Sequence, residues 1–320
     1  MISKRKYNKD KTRVFDLSKA TAESRAVNRA AQKLATSNEK KLIATVEHSI
    51  TLVRNQVRIT QLTSMITVGD VGKATEYAIS FVGEFSNEIE SISKPLLETF
   101  MSAGELETVN VNLLLAKHRP KAGRMIFDSG DTKAAEFMRK KTLKSIKQIT
   151  DGSRAAIKDI LKKTVGVEAE YTPIKAARLM RESIGLNERQ ANALEKFRGK
   201  LVKQELSDKV INKKVERYST KLINARAKNI ARTETSQAVS NGRKQSWEQA
   251  QKKYALDNEK IERTWTTAKD DNICEICEEM DGKKIFGIDA VWTLPTGEQT
   301  AVAFAHNLCR CSENVVYKGW

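Results

Sequence analysis

All four cysteines of this chain fall in two tight pairs near one end: Cys274 and Cys277 in DNICEICEEMDGKK, and Cys309 and Cys311 in AHNLCRCS, where His306 is one of only three histidines. Thiolate and imidazole are the donors that hold a tetrahedral zinc ion, and a C-x-x-C step lets two thiolates converge on one ion from a tight turn. If Cys309 to Cys311 is extended, residues two apart face the same side, so both can reach that ion. Cys274, Cys277, His306, Cys309 and Cys311 are then five candidates for four places. Two ligand sets stand open: all four cysteines, or three of them with the histidine. Asp270, Asp271, Glu275, Glu278 and Glu279 crowd the first pair, but carboxylates among thiolates stay solvated more often than they ligate zinc. In a reducing, cytoplasm-like compartment, clustered cysteines read as metal ligands and not as a disulfide framework.

The expected role of the metal is structural. Deaminase chemistry needs a His-x-Glu upstream of its C-x-x-C, whereas the histidines here read His48-Ser-Ile, His118-Arg-Pro and His306-Asn-Leu. H-E-x-x-H is absent, and four protein ligands leave no open position for a reacting water. The sequence also has no G-x-x-x-x-G-K-[ST], G-x-G-x-x-G or G-x-S-x-G stretch, which removes the common phosphate-loop, dinucleotide and nucleophile-elbow classes. The chain reads as a non-enzyme.

The cluster must be positioned by a small module. From about Asp257, helical periodicity gives way to short stretches, RTWTTA, KKIFGI and AVWTLP, between turn signals, as expected of brief strands in an α+β unit. Ahead of it the chain reads as helix after helix. Val27, Ala31, Leu34, Leu42, Val46, Ile50, Val53 and Val57 recur at steps of three and four, and Val71, Ala74, Ala78, Val82, Phe85, Ile89 and Ile92 form a second stripe expected to end before Pro95. Gly104 and the segment from His118 to Gly130 read as irregular connections, and a helix pair is expected between Thr132 and Lys163. The segment from Thr172 to Leu201 predicts two short helices, with Gly185 ending the first and Asn187 capping the second. Ile211, Val215, Tyr218, Leu222 and Ala225 continue a core stripe. The predicted fold is mainly α: an elongated helical region followed by a small α+β C-terminal module with a zinc knuckle. The expected organisation is a basic N-terminal tail (1–15), a helical domain (16–166), a second helical region (167–256) and the Cys/His module (257–320).

Charge separates these parts. The chain carries 57 Lys plus Arg against 40 Asp plus Glu, net +17. The module from Asp257 onward has 7 basic and 12 acidic residues, net −5, which leaves 50 against 28, net +22, on the helical part. Such an excess favours polyanionic partners through counterion release. No apolar h-region follows the basic N-terminus, and no uncharged run approaches the roughly 18 residues of a spanning helix, so neither a secretory signal nor a membrane partner is expected.

Four separated stretches, IGLNERQANALEKFRGKL, KNIARTETSQAVSNGRKQSW, RTWTTAKDDNICEICEEMDGKKI and the closing HNLCRC, resemble in order the phage head-morphogenesis proteins, minor head (capsid) proteins related to protein F of phage Mu. The resemblance covers roughly Thr172 to Cys311, including the 167–256 helical region; residues before about Gly166 share only the family's helical, charged character. Where the family has a proline-rich approach to its last histidine, this chain reads AVAFAHNLCRC. The resemblance makes Arg232, Thr233, Glu234, Asn241 and Gly242 the helix signature, and Cys274, Cys277, His306, Cys309 and Cys311 the terminal knuckle. Arg232 and Glu234, two apart on a helix, face different neighbours and are expected to fix packing. The resemblance implies a minor structural protein of a tailed-phage or prophage head, made in the host cytoplasm and held in the head interior near the portal. Its implied partners are the portal and major capsid proteins and double-stranded DNA, contacted without sequence preference during assembly, packaging or delivery. The competing readings are a zinc-containing DNA-binding regulator and a phage-borne nuclease or toxin.

Overall fold

The computed structural model describes residues 22–84, 89–130, 147, 149–164, 171–268 and 273–319. The expectations for the 1–15 tail, Phe85, most of the 132–148 segment, Asp270, Asp271 and Trp320 lie outside the described residues. The described chain is mainly helical and ends in a small module of short strands, as the patterning predicts. It divides into two compact units, each assembled from separated segments: Lys41–Lys94 with Arg139–Ala231, and Met1–Lys40 with Pro95–Met138 and Arg232–Trp320.

The first of these units is all helical. It draws on the second part of α1 (Ala22–Gln56), on α2 (Ile59–Thr67) and α3 (Val71–Gly83), on α5 (149–162), α6 (Pro173–Ser183) and α7 (Glu188–Lys203), and on the first part of α8 (Asp208–Tyr254). The stripe Leu42, Val46, Ile50, Val53 is buried, as are Ala74, Ala78 and Val82 on α3. The connection between those two stripes is itself a helix, α2, which packs on α3 and α6 through Leu62 and Ile66. Two capping signals hold as the sequence predicts. Asn187 accepts from the Gln190 backbone N–H while the Gln190 side chain returns to the Asn187 N–H, a complete capping box. Gly185 has φ +82°, and a Cβ there would stand 2.4 Å from Ile50 Cγ2, so both backbone and packing demand glycine. Arg54 lies buried against Glu182 (3.2 Å) and the Ser219 hydroxyl (3.3 Å).

In the first part of α8 the buried stripe is Ile211, Val215, Ser219, Ile223 and Ala227, with Arg226 buried beside it, whereas Ala225 is exposed. The core stripe advances four residues at each step, so beyond Val215 it runs through Ser219, Ile223 and Ala227, while Tyr218 and Leu222 of the expected stripe are half-buried beside it.

The second unit contains most of α4 (Ile89–His118), the rest of α8 and the C-terminal module. Two expectations fail on α4. The helix runs through Pro95, because Ile92, Leu96 and Phe100 bury one continuous face and tertiary packing outweighs the lost backbone hydrogen bond. Gly104 is not a break either: the Phe127 ring occupies its Cβ position, 2.3 Å away, so this glycine makes room for a neighbour. Glu107, fully buried on α4, accepts from Arg243 Nε (2.6 Å) and Trp247 Nε1 (2.9 Å) of α8. At Gly242 a Cβ would meet the Phe100 carbonyl oxygen at 2.1 Å, so the two helix backbones touch there.

The module opens with a short 3₁₀ turn, Asn258–Lys260, and forms an antiparallel sheet in the order β2-β1-β5 from β1 (Ile261–Thr266), β2 (Lys284–Phe286) and β5 (Ser312–Tyr317). A two-stranded ribbon, β3 (Trp292–Thr293) with β4 (Gln299–Thr300), lies between β2 and β5 in the chain. Ile261, Val315 and Tyr317 pack with Trp247, Leu114, Leu115 and Met125 in one core. A second core joins Trp265, Trp292, Met280 and the cysteines.

Candidate metal centre

Two segments bring the five sequence-predicted ligands together. The first is α9 (Glu275–Met280), a single helical turn whose N-cap is Cys274; its sulfur accepts from the Cys277 backbone N–H at 3.4 Å. The turn that closes this segment is fixed by Asp281, which accepts from Thr267 N–H and Oγ1, and by Gly282 at φ +77°. The second segment is the His306–Cys311 loop leading into β5, closed by the Cys309 N–H donating to the His306 carbonyl at 3.0 Å. Leu308, in this loop, adopts φ +68°. That left-handed conformation strains a non-glycine residue by on the order of 1–3 kcal/mol and persists only where the surroundings hold it. The hold is visible: the Leu308 N–H donates to Thr233 Oγ1 on α8 at 3.1 Å.

Cys274, Cys277 and His306 have ligand atoms within 4.8 Å of one another, and so do Cys277, Cys309 and Cys311, so Cys277 belongs to both groups. His306 Nε2 lies 3.0 Å from Cys274 Sγ and 3.2 Å from Cys277 Sγ. Its Nδ1 lies 2.7 Å from the Asn307 carbonyl, which can only accept. A proton on Nδ1 would satisfy that carbonyl and leave the Nε2 lone pair facing the sulfurs, the arrangement of a metal-ligating imidazole. The Cys277 and Cys309 sulfurs are 3.8 Å apart, far beyond the ~2.05 Å of a disulfide and equal to the roughly 3.8 Å edge of a tetrahedron with zinc–sulfur bonds of about 2.3 Å.

The electrostatics of the thiols agree. Cys309 is held well below the usual thiol range by hydrogen bonds from Cys277 and Cys311, with help from the Ala305 and Cys311 backbone. Cys277 is pushed up because it gives its hydrogen to Cys309 and Cys311 and is buried. Bare, the cluster shares protons among crowded sulfurs; a divalent cation would let them all ionise, so the donor set fits a metal. Glu275, Glu278 and Glu279 are exposed, and Glu279 pairs with Lys283 at 3.1 Å.

The helix-signature residues divide by contact. Arg232 pairs with Glu39 of α1 at 3.0 Å. Thr233 reaches the cysteine loop, Glu234 is buried, Asn241 donates to the Gln237 carbonyl within α8, and Gly242 meets α4. A further group escaped sequence reasoning. Arg263 on β1 is fully buried, with Nε and Nη2 on the two Glu313 oxygens at 2.8 Å each, and its remaining hydrogens on the carbonyls of Ala290 (2.7 Å), Ile288 (3.2 Å) and Ala301 (2.6 Å). Glu313 also accepts from Trp292 Nε1 at 3.0 Å and from the Ala303 N–H at 2.6 Å. The available signal was slight: an Arg amid β-forming residues in RTWTT, and a Glu ahead of NVVY.

Among the described residues no helix is long and apolar enough to cross a membrane. No curated protein and no solved structure matches the chain. The stretch from Arg198 in α7 through α8, β1 and both cysteine segments to Glu313, residues 198–313, matches the family model described as Phage Mu protein F like protein.

Proposed function

We propose that this chain is a minor structural protein of a tailed-phage or prophage head and acts in head morphogenesis. The observation that carries the reading is that the family likeness spans the two features the geometry joins, the α8 signature with Thr233 and the Cys/His loop that Thr233 holds. In this reading the protein lies in the head interior near the portal, after assembly in the host cytoplasm, with the portal and major capsid proteins as neighbours. It contacts packaged double-stranded DNA without reading sequence, in keeping with the net +22 of its helical part. Its role is structural and not catalytic.

The metal we assign is zinc, held by four of Cys274, Cys277, His306, Cys309 and Cys311. Bound there, zinc supplies folding free energy to a module of small core. The chain's own residues do the positioning: the α9 cap aims the first pair, the Asn307 carbonyl sets the imidazole, and Thr233 fixes the loop.

The test is quantitative mass spectrometry of washed, nuclease-treated particles together with metal analysis of the purified chain. A low, reproducible copy number per DNA-filled head and one zinc per chain are expected. Absence from particles would leave an assembly factor or a regulator in its place, and a chain purified without any bound metal would remove the knuckle.

A further inference from the structure

We propose that one exposed face of α8, between Lys209 and Lys228, is a phosphate-binding surface for duplex DNA. The proposal rests on the DNA contact proposed above and gives it an address. Lys209, Lys213, Lys214, Arg217, Lys221 and Lys228 are all exposed. At 100° per residue they fall within an arc of about 140°. The other positions in that arc are Val210, Thr220, Asn224 and, at its edge where the buried stripe comes round, Ala227, so no carboxylate interrupts it; Glu216 lies just beyond its edge. The opposite side is the buried stripe Ile211, Val215, Ser219, Ile223. None of the six cations has an ion-pair partner among the described residues, whereas Lys163 of the same unit is matched by Glu195 and Asp159.

The face runs about 28 Å along the helix, the length of roughly eight base pairs of duplex. Antiparallel α7 packs beside it, with Gln190 bonded to the Leu222 carbonyl and Arg198 to Asn212. On its own solvent side α7 adds Lys196, Lys200 and Lys203.

Chemistry selects the occupant. Five of the six cations are lysines, which act on phosphates as point charges, whereas base reading relies on the forked guanidinium and on paired Asn or Gln amides. A single strand would need aromatic platforms for stacking. This face has none, and the nearest ring, Tyr218, is engaged with Phe197 at 4.5 Å. An acidic protein would also bring apolar contacts, and the face offers only Val210.

The test uses the full chain, fluorescence anisotropy and 30-base-pair duplexes of two unrelated sequences across a sodium chloride series. The variant is Lys213→Gln/Arg217→Gln/Lys221→Gln. The control, equal in charge lost, is Lys117→Gln/Lys121→Gln/Lys252→Gln at exposed positions elsewhere. Both are checked for unchanged helicity and melting. Both duplexes should bind alike. The α8 variant should bind at least about tenfold more weakly at low salt, with the slope of log K against log salt shallower by about 2.7, near 0.9 for each lost phosphate contact. The control should follow the parent chain. Equal losses in variant and control would overturn the address while leaving DNA contact standing. No duplex binding by the parent chain would remove both. A 30-nucleotide single strand bound as tightly as duplex, or polyglutamate bound in place of DNA and lost in the α8 variant, would each reassign the face.

Discussion

Arg263 and Glu313 lie 50 residues apart in the chain and meet as a two-pronged ion pair, diagonal neighbours across the β1–β5 register in which Trp265 stands opposite Glu313. The module is organised around this pair. The guanidinium gathers carbonyls from Ala290 and Ala301, and the carboxylate gathers the Trp292 indole and the Ala303 N–H.

Removing one partner leaves the other charge buried. Glu313→Gln is therefore expected to destabilise the module by about 3–5 kcal/mol, read from urea denaturation followed by the fluorescence of Trp265 and Trp292. Replacing both residues, Arg263→Met with Glu313→Leu, should cost less than the single change. A single variant as stable as the parent would mean that water reaches the pair.

Cys277 belongs to both ligand triads. Cys277→Ser should abolish metal binding, while single Ser substitutions at Cys274 and Cys311 should separate the two ligand sets. Thiolates and imidazole bind metal only when deprotonated, so lowering pH adds competing protons and must weaken binding. Metal release, followed with a chromogenic chelator, is expected to speed up as pH falls from about 7.5 to about 5, and the module should loosen with it.

Thr233 is expected to act through the loop it holds. Thr233→Val removes the acceptor for the Leu308 N–H and should cost about 1 kcal/mol, equivalent to roughly fivefold faster chelator-driven metal loss. Thr233→Ser keeps the hydroxyl and should behave like the parent. If Val and Ser behaved alike, the hydroxyl would have no part in holding the loop.

Two glycines inside helices should respond in opposite directions. Gly242→Ala drives a methyl against the Phe100 carbonyl, 2.1 Å away, and backbone cannot swing aside, so a loss of about 2 kcal/mol or more is expected. Gly199 in α7 has open space around it. Gly199→Ala should raise stability by up to about 1 kcal/mol through helix propensity alone. Calorimetric melting of the two variants reads both signs.

Much of this architecture was legible in the residues. Leu42, Val46, Ile50 and Val53 announced their helix because an amphipathic stripe is a local property, and Asn187 announced a helix start because a cap is built within a few residues; its partner in the capping box, Gln190, came only with the structure. The five candidate ligands were legible because thiols and imidazole are rare in this chain. What escaped was long-range. Gly104 reads as a break until Phe127 is seen filling its place, and Pro95 reads as a stop until the buried face on both sides of it is known. β5 went unforeseen because SENVVY becomes a strand by pairing with β1, and nothing in either segment names the other. The contact of Thr233 with Leu308 spans 75 residues, so the signature residue was visible while its partner was not.

The β2-β1-β5 order also bears on synthesis at the ribosome. β1 and β2 are made early in the module, and the other edge of β1 cannot be covered before residues Ser312 to Tyr317 are made. Until then Arg263 has carbonyls within reach but not its carboxylate. Cys274 and Cys277 likewise emerge before His306, Cys309 and Cys311. A nascent chain halted between Phe286 and Glu313 would thus present an open strand edge, an unneutralised guanidinium and two thiols without their later partners, all at once.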